Sequence, residues 1–337
     1  MDFELFIVNG KTVSDIVRAD RAKCIEVVQD AYLAHADGKS VNPDSYFLRF
    51  PEKPDCRIIA LPAYLGNGFD VAGLKWVASY PANVQRGFPR ASAVLVLNNY
   101  ETGYPFAILE GSIISAARTA ASAALAANWL SGQSRRAHAL GIVGTGFIAR
   151  HVYEFLVETG WEIEELRLHD RSPGESEKFK TTACRLDQHR TVAVVPDVAQ
   201  LVRACDLIVF TTVASAPHIA DAALFEHNPV VLHISLRDLA PDILLRSQNV
   251  VDDVEHVMKA DTSPHLAEKQ TGSRSFVTGT LAEIMAGRRS VDRSRPIIFS
   301  PFGMGILDLA VGKWVFDEAV AAGQALRLSN FFHEVVR

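Results

Sequence analysis

Four charged residues sit in apolar stretches of this 337-residue chain: Arg57 before IIALP, Lys75 inside GLKWV, Arg118 inside SAARTAA and Asp238 after HISLR. Burying a charge is costly unless it is paired, so each asks for a partner. Three cations and one anion can pair among themselves, or the cations can hold a substrate that carries carboxylates. A strand Lys or Arg can also simply face solvent. Arg118 stands apart, because Ala, Thr and Ser surround it in a helix that reads as buried on every side, where an unpaired charge points to function.

A second group has a sharper signature. Residues 140–143 read as a short apolar strand that runs into Gly144-Thr145-Gly146-Phe147-Ile148-Ala149; a helix-period segment follows, and a second strand, 166–169, ends in Asp170. This is the G-x-G-x-x-G/A arrangement that cradles a dinucleotide. Gly144 permits the tight turn, Gly146 lets backbone approach a pyrophosphate, and small Ala149 lets the helix sit close to the sheet. The pyrophosphate would rest on the free amides of that helix. Asp170 lies 24 residues past Gly146, where an acid accepts hydrogen bonds from both ribose hydroxyls and repels a 2′-phosphate. That favours NAD over NADP, with Arg171 next to it pulling the other way. Glycine turns of this kind also occur without ligand; the strand, helix, second strand and acid together favour a cofactor.

The elements that must position these residues follow from periodicity. Residues 4–8 read as a strand and 20–37 as a helix stopped by Gly38. The segment 45–111 is a series of short strand-like runs separated by turn residues, which predicts a mostly antiparallel sheet. The alanine-rich run 115–130 predicts a long, closely packed helix. After Asp170, the apolar runs 192–195, 207–212, 230–235 and 250–253 alternate with spacers, as parallel strands buried on both faces do. Their polar ends, Thr211-Thr212, Ser235 to Asp238 and Asp252-Asp253, fall at the carboxyl edge, where open α/β sheets bind ligands. Residues 296–299 read as a strand, FGMG as a tight turn, and 306–322 as a helix with Gly323 as its stop.

Composition narrows the function classes. The hydrophobic share of 48% and charged share of 22% fit an ordinary globular protein of two domains. A net charge of −5 with no basic run argues against a nucleic-acid surface. The acidic start MDFELFIVNGK lacks the pattern of a secretory signal, which predicts a cytoplasmic protein. The most lipid-like stretch, 112–130, contains Arg118 and reads as a buried helix, so no membrane partner is expected. Cys24, Cys56, Cys184 and Cys205 stand far apart and fit reduced thiols. His233 reads as a core histidine, no histidine has metal-ligand spacing, and no G-x-S-x-G elbow is present, so neither a metal nor a serine nucleophile is expected.

Several stretches resemble the ornithine cyclodeaminase and mu-crystallin family: CRIIALPAYLG, AGLKWVAS, NNYETGYPFAILEGSIISAARTAASAALAANWL, GIVGTGFIA and FSPFGMGILDLA. The resemblance spans about residues 20–325. RIIALP, GLKW and ISLRD look most similar to the branch of N-((2S)-2-amino-2-carboxyethyl)-L-glutamate dehydrogenases, which make L-2,3-diaminopropionate for siderophores and peptide antibiotics. Ornithine cyclodeaminases proper carry a glycine-rich segment ending in the catalytic acid; HISLRD stands there instead, which points away from cyclodeamination.

The resemblance implies an α/β fold in which a Rossmann-type, doubly wound parallel sheet, residues 118–302, is inserted in an α+β substrate-binding and dimerisation domain, residues 1–117 plus 303–337. It implies NAD as cofactor, a small amino-acid-derived substrate and a homodimer. Carried over by motif, Arg57, Lys75 and Arg118 hold substrate carboxylates, with Gly303 and Met304 near the substrate. Asp238 is the acid/base beside the nicotinamide, and Lys75 a second acid/base if nearby arginines depress its pKa. Arg118, Thr119, Thr212, Ser235 and Leu236 line the cofactor, together with Gly144 to Ile148, Asp170, Arg171, Thr211 and Ser92. Arg90 stands where the family has a cofactor-contacting Thr, adding a cation that suits a substrate with several carboxylates. The implied reaction is oxidation of a secondary amine to an imine, then hydrolysis to 2-oxoglutarate and diaminopropionate. Other activities of the family, ornithine cyclodeaminase, alanine or other amino-acid dehydrogenase or imine reductase, and a non-catalytic mu-crystallin-like binding protein remain alternatives.

Overall fold

The computed structural model describes residues 4–332. They divide into two compact units: one holds the residues up to Arg118 together with those from Met304 on, the other Thr119–Gly303. The chain begins with β1 (Leu5–Val8), α1 (Gly10–Ala19), α2 (Arg21–Ala36), β2 (Ser40–Val41), β3 (Tyr46–Phe50), β4 (Lys53–Leu65), β5 (Val71–Ser79), β6 (Ala91–Asn99), β7 (Pro105–Glu110) and α3 (Gly111–Leu130). It continues with β8 (Arg136–Val143), α4 (Phe147–Glu158), β9 (Glu162–His169), α5 (Pro173–Thr182), β10 (Thr191–Val194), α6 (Val198–Ala204), β11 (Leu207–Phe210) and β12 (Val230–His233). Then come α7 (Pro241–Leu245), β13 (Gln248–Val251), α8 (Val254–Val257), α9 (Ser263–Thr271), β14 (Val277–Thr280), α10 (Leu281–Met285), β15 (Ile297–Ser300), α11 (Gly305–Ala321) and β16 (Leu326–Leu328).

In the first unit a mixed sheet runs β16-β1-β7-β6-β5-β4-β2, with β3 also on β4. It is antiparallel except for β1 on β7. Pairing puts Leu61, Lys75 and Leu95 in one row, and Arg57, Ser79 and Ala91 in another. Positions two or four apart on a strand share a face, so Lys75 and Arg57 point to the same side. That side carries α11, and glycine sets how close it comes. A Cβ on Gly312 would stand 2.2 Å from Leu95 Cδ2, and one on Gly73 would stand 2.7 Å from Leu309 Cδ2. Bare backbone at these two positions lets the helix lie on the sheet and brings its first turn, with Asp308, down onto Lys75.

Helix α3 begins four residues before its alanine run predicts. The Glu110 carboxylate accepts from the backbone N–H groups of Ser112 and Ile113 at 2.8 and 2.9 Å, which satisfies two of the unpaired donors of the first turn. The alanines at 116, 117, 120, 121, 123, 124, 126 and 127 are buried, as the composition requires. Helix α1, which periodicity passed over, starts on Asn9, whose side chain accepts from Thr12 N–H at 3.0 Å.

The second unit is an all-parallel sheet in the order β10-β9-β8-β11-β12-β15-β13-β14. The chain leaves β8 to build β9 and β10 on one side, then returns to place β11 and β12 on the other. That reversal next to β8 is a topological switch point, where such sheets bind ligands. Strands β11, β12 and β15 are buried along their whole length, which explains their unbroken apolar runs. The four cysteines stand apart as free thiols. Among the described residues, no helix is long and apolar enough to cross a membrane.

Candidate active site

The first unit gathers charge around one buried acid. Lys75 Nζ donates to Asp308 Oδ2 at 2.7 Å and to Ser115 Oγ at 3.0 Å. Arg118 Nε donates to Asp308 Oδ1 at 3.2 Å. Ser115 and Arg118 lie three apart on α3 and so share a face. Lys75 and Asp308 are buried, and Arg118 is 13% exposed. Burial pulls the Lys75 ammonium down to about 8; Asp308 opposes that shift and the Arg118 guanidinium adds to it. Lys75 is thus an ammonium able to release its proton near neutral pH.

Farther along the same sheet face stands a second cationic pair. The Arg57 Nε is buried with no hydrogen-bond partner among the described residues. Arg90 Nη1 donates to Ser79 Oγ at 3.3 Å, and burial together with the neighbouring Arg57 charge lowers Arg90 from its usual value. Ser79 pairs with Arg57 and lies four residues from Lys75 on β5. The two cationic groups are therefore about 13 Å apart along the strand, at ~3.3 Å per residue.

In the second unit a cavity of about 1010 Å³ opens at the carboxyl ends of β8, β9 and β11, bordered by Gly144, Gly146, Asp170, Arg171, Thr211 and Thr212. Gly144 has φ +88, and a Cβ there would stand 2.9 Å from the Thr211 carbonyl and the Thr212 nitrogen. A Cβ on Gly146 would meet nothing within 4 Å, and no side chain caps the amides of α4 that begin there. Open space over bare amides at a helix N-terminus is the environment a pyrophosphate needs, so the residues fit a dinucleotide. Asp170 accepts from Thr145 N–H at 2.9 Å, from the Thr145 hydroxyl at 3.2 Å and from Ser172 N–H at 2.9 Å. A carboxylate offers about four acceptor sites, so this acid braces the glycine turn and keeps room for a ribose hydroxyl.

Asp238 departs from the role that the resemblance implies. It is 0% exposed, and both oxygens are taken. Thr212 donates to Oδ1 at 2.5 Å and His218 Nε2 lies 3.1 Å from it; the Ser235 hydroxyl donates to Oδ2, with His233 Nε2 at 3.3 Å. Burial would raise this carboxyl, but the contacts with His218, His233 and Ser235 outweigh it and hold the group far below the usual carboxylate range. A sealed, strongly acidic carboxyl is a fixed anion, which corrects its expected role as the base that touches the reacting atoms.

Other expected positions also move. Leu236 has φ +67 and buries its side chain against Val251, Val257 and Met258, because the chain must turn there to tuck Asp238 inward; the side chain packs in the core and does not line the cavity. Ser235 is spent on Asp238. Met304 is fully buried at the start of α11, and Gly303 gives its N–H to Asp252 at 2.6 Å. Asp252 also accepts from Phe302 N–H at 2.9 Å, while Asp253 caps α8 through His256 N–H at 2.8 Å. Both acids therefore pin backbone, away from the ligand role that their strand-end position suggests. Ser92 pairs with Ala78, so it faces the side opposite Lys75. Phe147 is 56% exposed at the start of α4, and Thr119 opens the second unit directly after Arg118. Among the described residues, no three His, Cys, Asp or Glu side chains are placed to hold a metal ion.

Two titratable residues in these clusters were not singled out in the sequence. Asp308 sits in GILDLAVG, where the argument used for Arg118 applies unchanged. His218 sits in SAPHIADAA and gives no such signal.

Comparison with known proteins follows the same lines. The sequence profile of the ornithine cyclodeaminase/mu-crystallin family matches residues 10–323. The chain is 29% identical to the alanine dehydrogenase of Archaeoglobus fulgidus, over 97% of this chain and 99% of that one. It is 25% identical to the N-((2S)-2-amino-2-carboxyethyl)-L-glutamate dehydrogenase of Staphylococcus aureus, over 95% and 96%. A solved archaeal alanine dehydrogenase dimer with bound NAD superposes with a TM-score of 0.85 at 26% identity, covering 97% of this chain and 100% of that one.

Proposed function

The chain belongs to the ornithine cyclodeaminase/mu-crystallin family, and from that premise we propose that it is an NAD-dependent dehydrogenase that cleaves N-((2S)-2-amino-2-carboxyethyl)-L-glutamate to L-2,3-diaminopropionate and 2-oxoglutarate. The observation that carries this reading is the excess of cations on one sheet face. Lys75 and Arg118 share one buried carboxylate, Asp308, while Arg57 and Arg90 stand farther along the same face, Arg57 with its Nε unpaired among the described residues and Arg90 beside the Arg57 charge. The proposed substrate has three carboxylates on a long backbone and can engage both ends of a row about 13 Å long. Alanine has one carboxylate and can engage only one end. Cations that fix the carboxylates also fix the reacting C–H bond, a positioning effect.

Bound NAD supplies hydride uptake at the nicotinamide, which turns the secondary amine into an iminium whose nitrogen keeps its proton. Gly144, Gly146 and the α4 amides would hold the pyrophosphate, and Asp170 the ribose. Lys75, with its ammonium pulled to about 8, holds a carboxylate in its charged form. The first unit also leaves Tyr46, Trp76 and Val94 exposed in one row across the sheet face opposite Lys75, at 67%, 39% and 40%. An apolar row of that kind suits the homodimer interface we propose for this sheet; the archaeal alanine dehydrogenase is itself a dimer.

The second reading is a dehydrogenase of a small amino acid, favoured by the 29% identity to the A. fulgidus enzyme. A rate panel with NAD decides between them. The secondary amine should yield NADH and 2-oxoglutarate at least tenfold faster, in kcat/KM, than L-alanine yields NADH and pyruvate. The reverse order assigns the chain to alanine, and ammonia with proline from L-ornithine without net NADH assigns it to cyclodeamination.

A further inference from the structure

His218 is held at both ends by the residue it faces. Its backbone N–H and that of Ile219 donate to the Asp238 carbonyl, each at 2.9 Å, and Ile219 forms a parallel bridge with Leu239. Its ring Nε2 lies 3.1 Å from Asp238 Oδ1. Behind Asp238 stands His233, fully buried, with Nε2 3.1 Å from the Asp238 N–H and Nδ1 3.3 Å from Ser300 Oγ. The His218 side chain is 41% exposed and borders the same cavity as Gly144, Gly146, Thr211 and Thr212. With Nε2–H given to Asp238, the ring carries its lone pair on Nδ1, which has no hydrogen-bond partner among the described residues. A sealed anion behind an exposed imidazole is the arrangement that fixes a ring's orientation and tautomer.

We propose that His218, anchored by Asp238, is the group that takes and returns the proton when the iminium is hydrolysed. This rests on the oxidative cleavage read above. The water oxygen bonds to the iminium carbon as the C=N π pair moves onto nitrogen, and a water proton passes to Nδ1. When the C–N bond breaks, its pair goes to the nitrogen together with the proton held on His218. The remaining hydroxyl proton leaves to solvent as the C=O bond forms. Asp238 is then a positioning residue, which accounts for its burial and for the four groups packed on its oxygens.

The test uses the full-length enzyme. Diethyl pyrocarbonate should modify His218 in the free protein, mapped by mass spectrometry, and saturating NADH should protect it. His218→Gln should bind NADH within about threefold of wild type, by fluorescence, and keep its thermal midpoint. Its first-turnover burst of NADH should persist while steady-state release of 2-oxoglutarate falls about a hundredfold, and added imidazole should restore turnover to His218→Ala. Equal modification with and without NADH overturns the proposal, as does a His218→Gln enzyme with kcat within threefold of wild type, or one that loses NADH affinity in step with kcat. A wild-type enzyme inert toward the secondary amine overturns the functional reading itself. A wild type that turns over beside an equally active His218→Gln overturns only the role of the histidine.

Discussion

Asp308 and Asp238 are both fully buried carboxylates, and their surroundings are opposite. Asp308 is gripped by two cations, Lys75 and Arg118. Asp238 is gripped by two hydroxyls and two imidazoles. The first cluster keeps net positive charge and so draws anions toward it; the second holds a buried negative charge that orients the imidazole of His218. One chemical group thus does two jobs, set by whether its partners are cations or hydroxyls and imidazoles.

The comparison breaks most visibly under Asp308→Ala. Removing the acid leaves two buried cations without their anion, which costs about 3–5 kcal/mol, read as a lower urea midpoint. Asp238→Asn keeps a side chain that can still bond the hydroxyls and should cost much less. Equal midpoints for the two variants would mean that the clusters do not differ in the way their partners suggest. The next effect is Arg118→Lys, which keeps charge but loses the planar fork. The expected loss in kcat/KM is about a hundredfold, on the order of 3 kcal/mol for one charged hydrogen-bonded contact, with NADH affinity unchanged. Wild-type turnover in that variant would make Arg118 a partner of Asp308 alone.

The pH dependence sharpens the same contrast. Lys75 loses its proton near pH 8, below the ordinary lysine value, so the charged form that holds a carboxylate is present below that pH and lost above it. The account predicts that kcat/KM falls about tenfold per unit above pH 8, and that Lys75→Arg, which stays charged, removes this limb. A wild-type profile flat to pH 10 would contradict it. The smallest expected effect is cofactor choice: Asp170 against a 2′-phosphate should favour NAD over NADP by about tenfold, or 1.4 kcal/mol. Equal kcat/KM with both would point to Arg171.

Much of this was legible in the residues. The strand–glycine–helix–strand–acid run located the switch point, because every local requirement of a dinucleotide turn is met within 34 residues, 137–170. Charge in apolar context found Lys75, Arg118 and Asp238. It did not find Asp308, although the same reasoning covers it, because one acid in a helix is ordinarily placed on the wet face; only Gly73 and Gly312 bring that face down to the sheet. His218 was out of reach, since the argument from buried charge rested on Lys, Arg and Asp, and its partner lies twenty residues on. Nor does any spacing reveal that Leu236 must take a left-handed turn to seal Asp238.

The central claim is that hydride leaves the glutamate α-carbon of a secondary amine. Substrate deuterated at that carbon, incubated with NAD and the wild-type enzyme, tests it most directly. The account predicts that each turnover places the deuterium at C4 of the reduced nicotinamide and releases unlabelled 2-oxoglutarate and diaminopropionate. Deuterium retained in the product, or lost to water with no reduced nicotinamide formed, would contradict it.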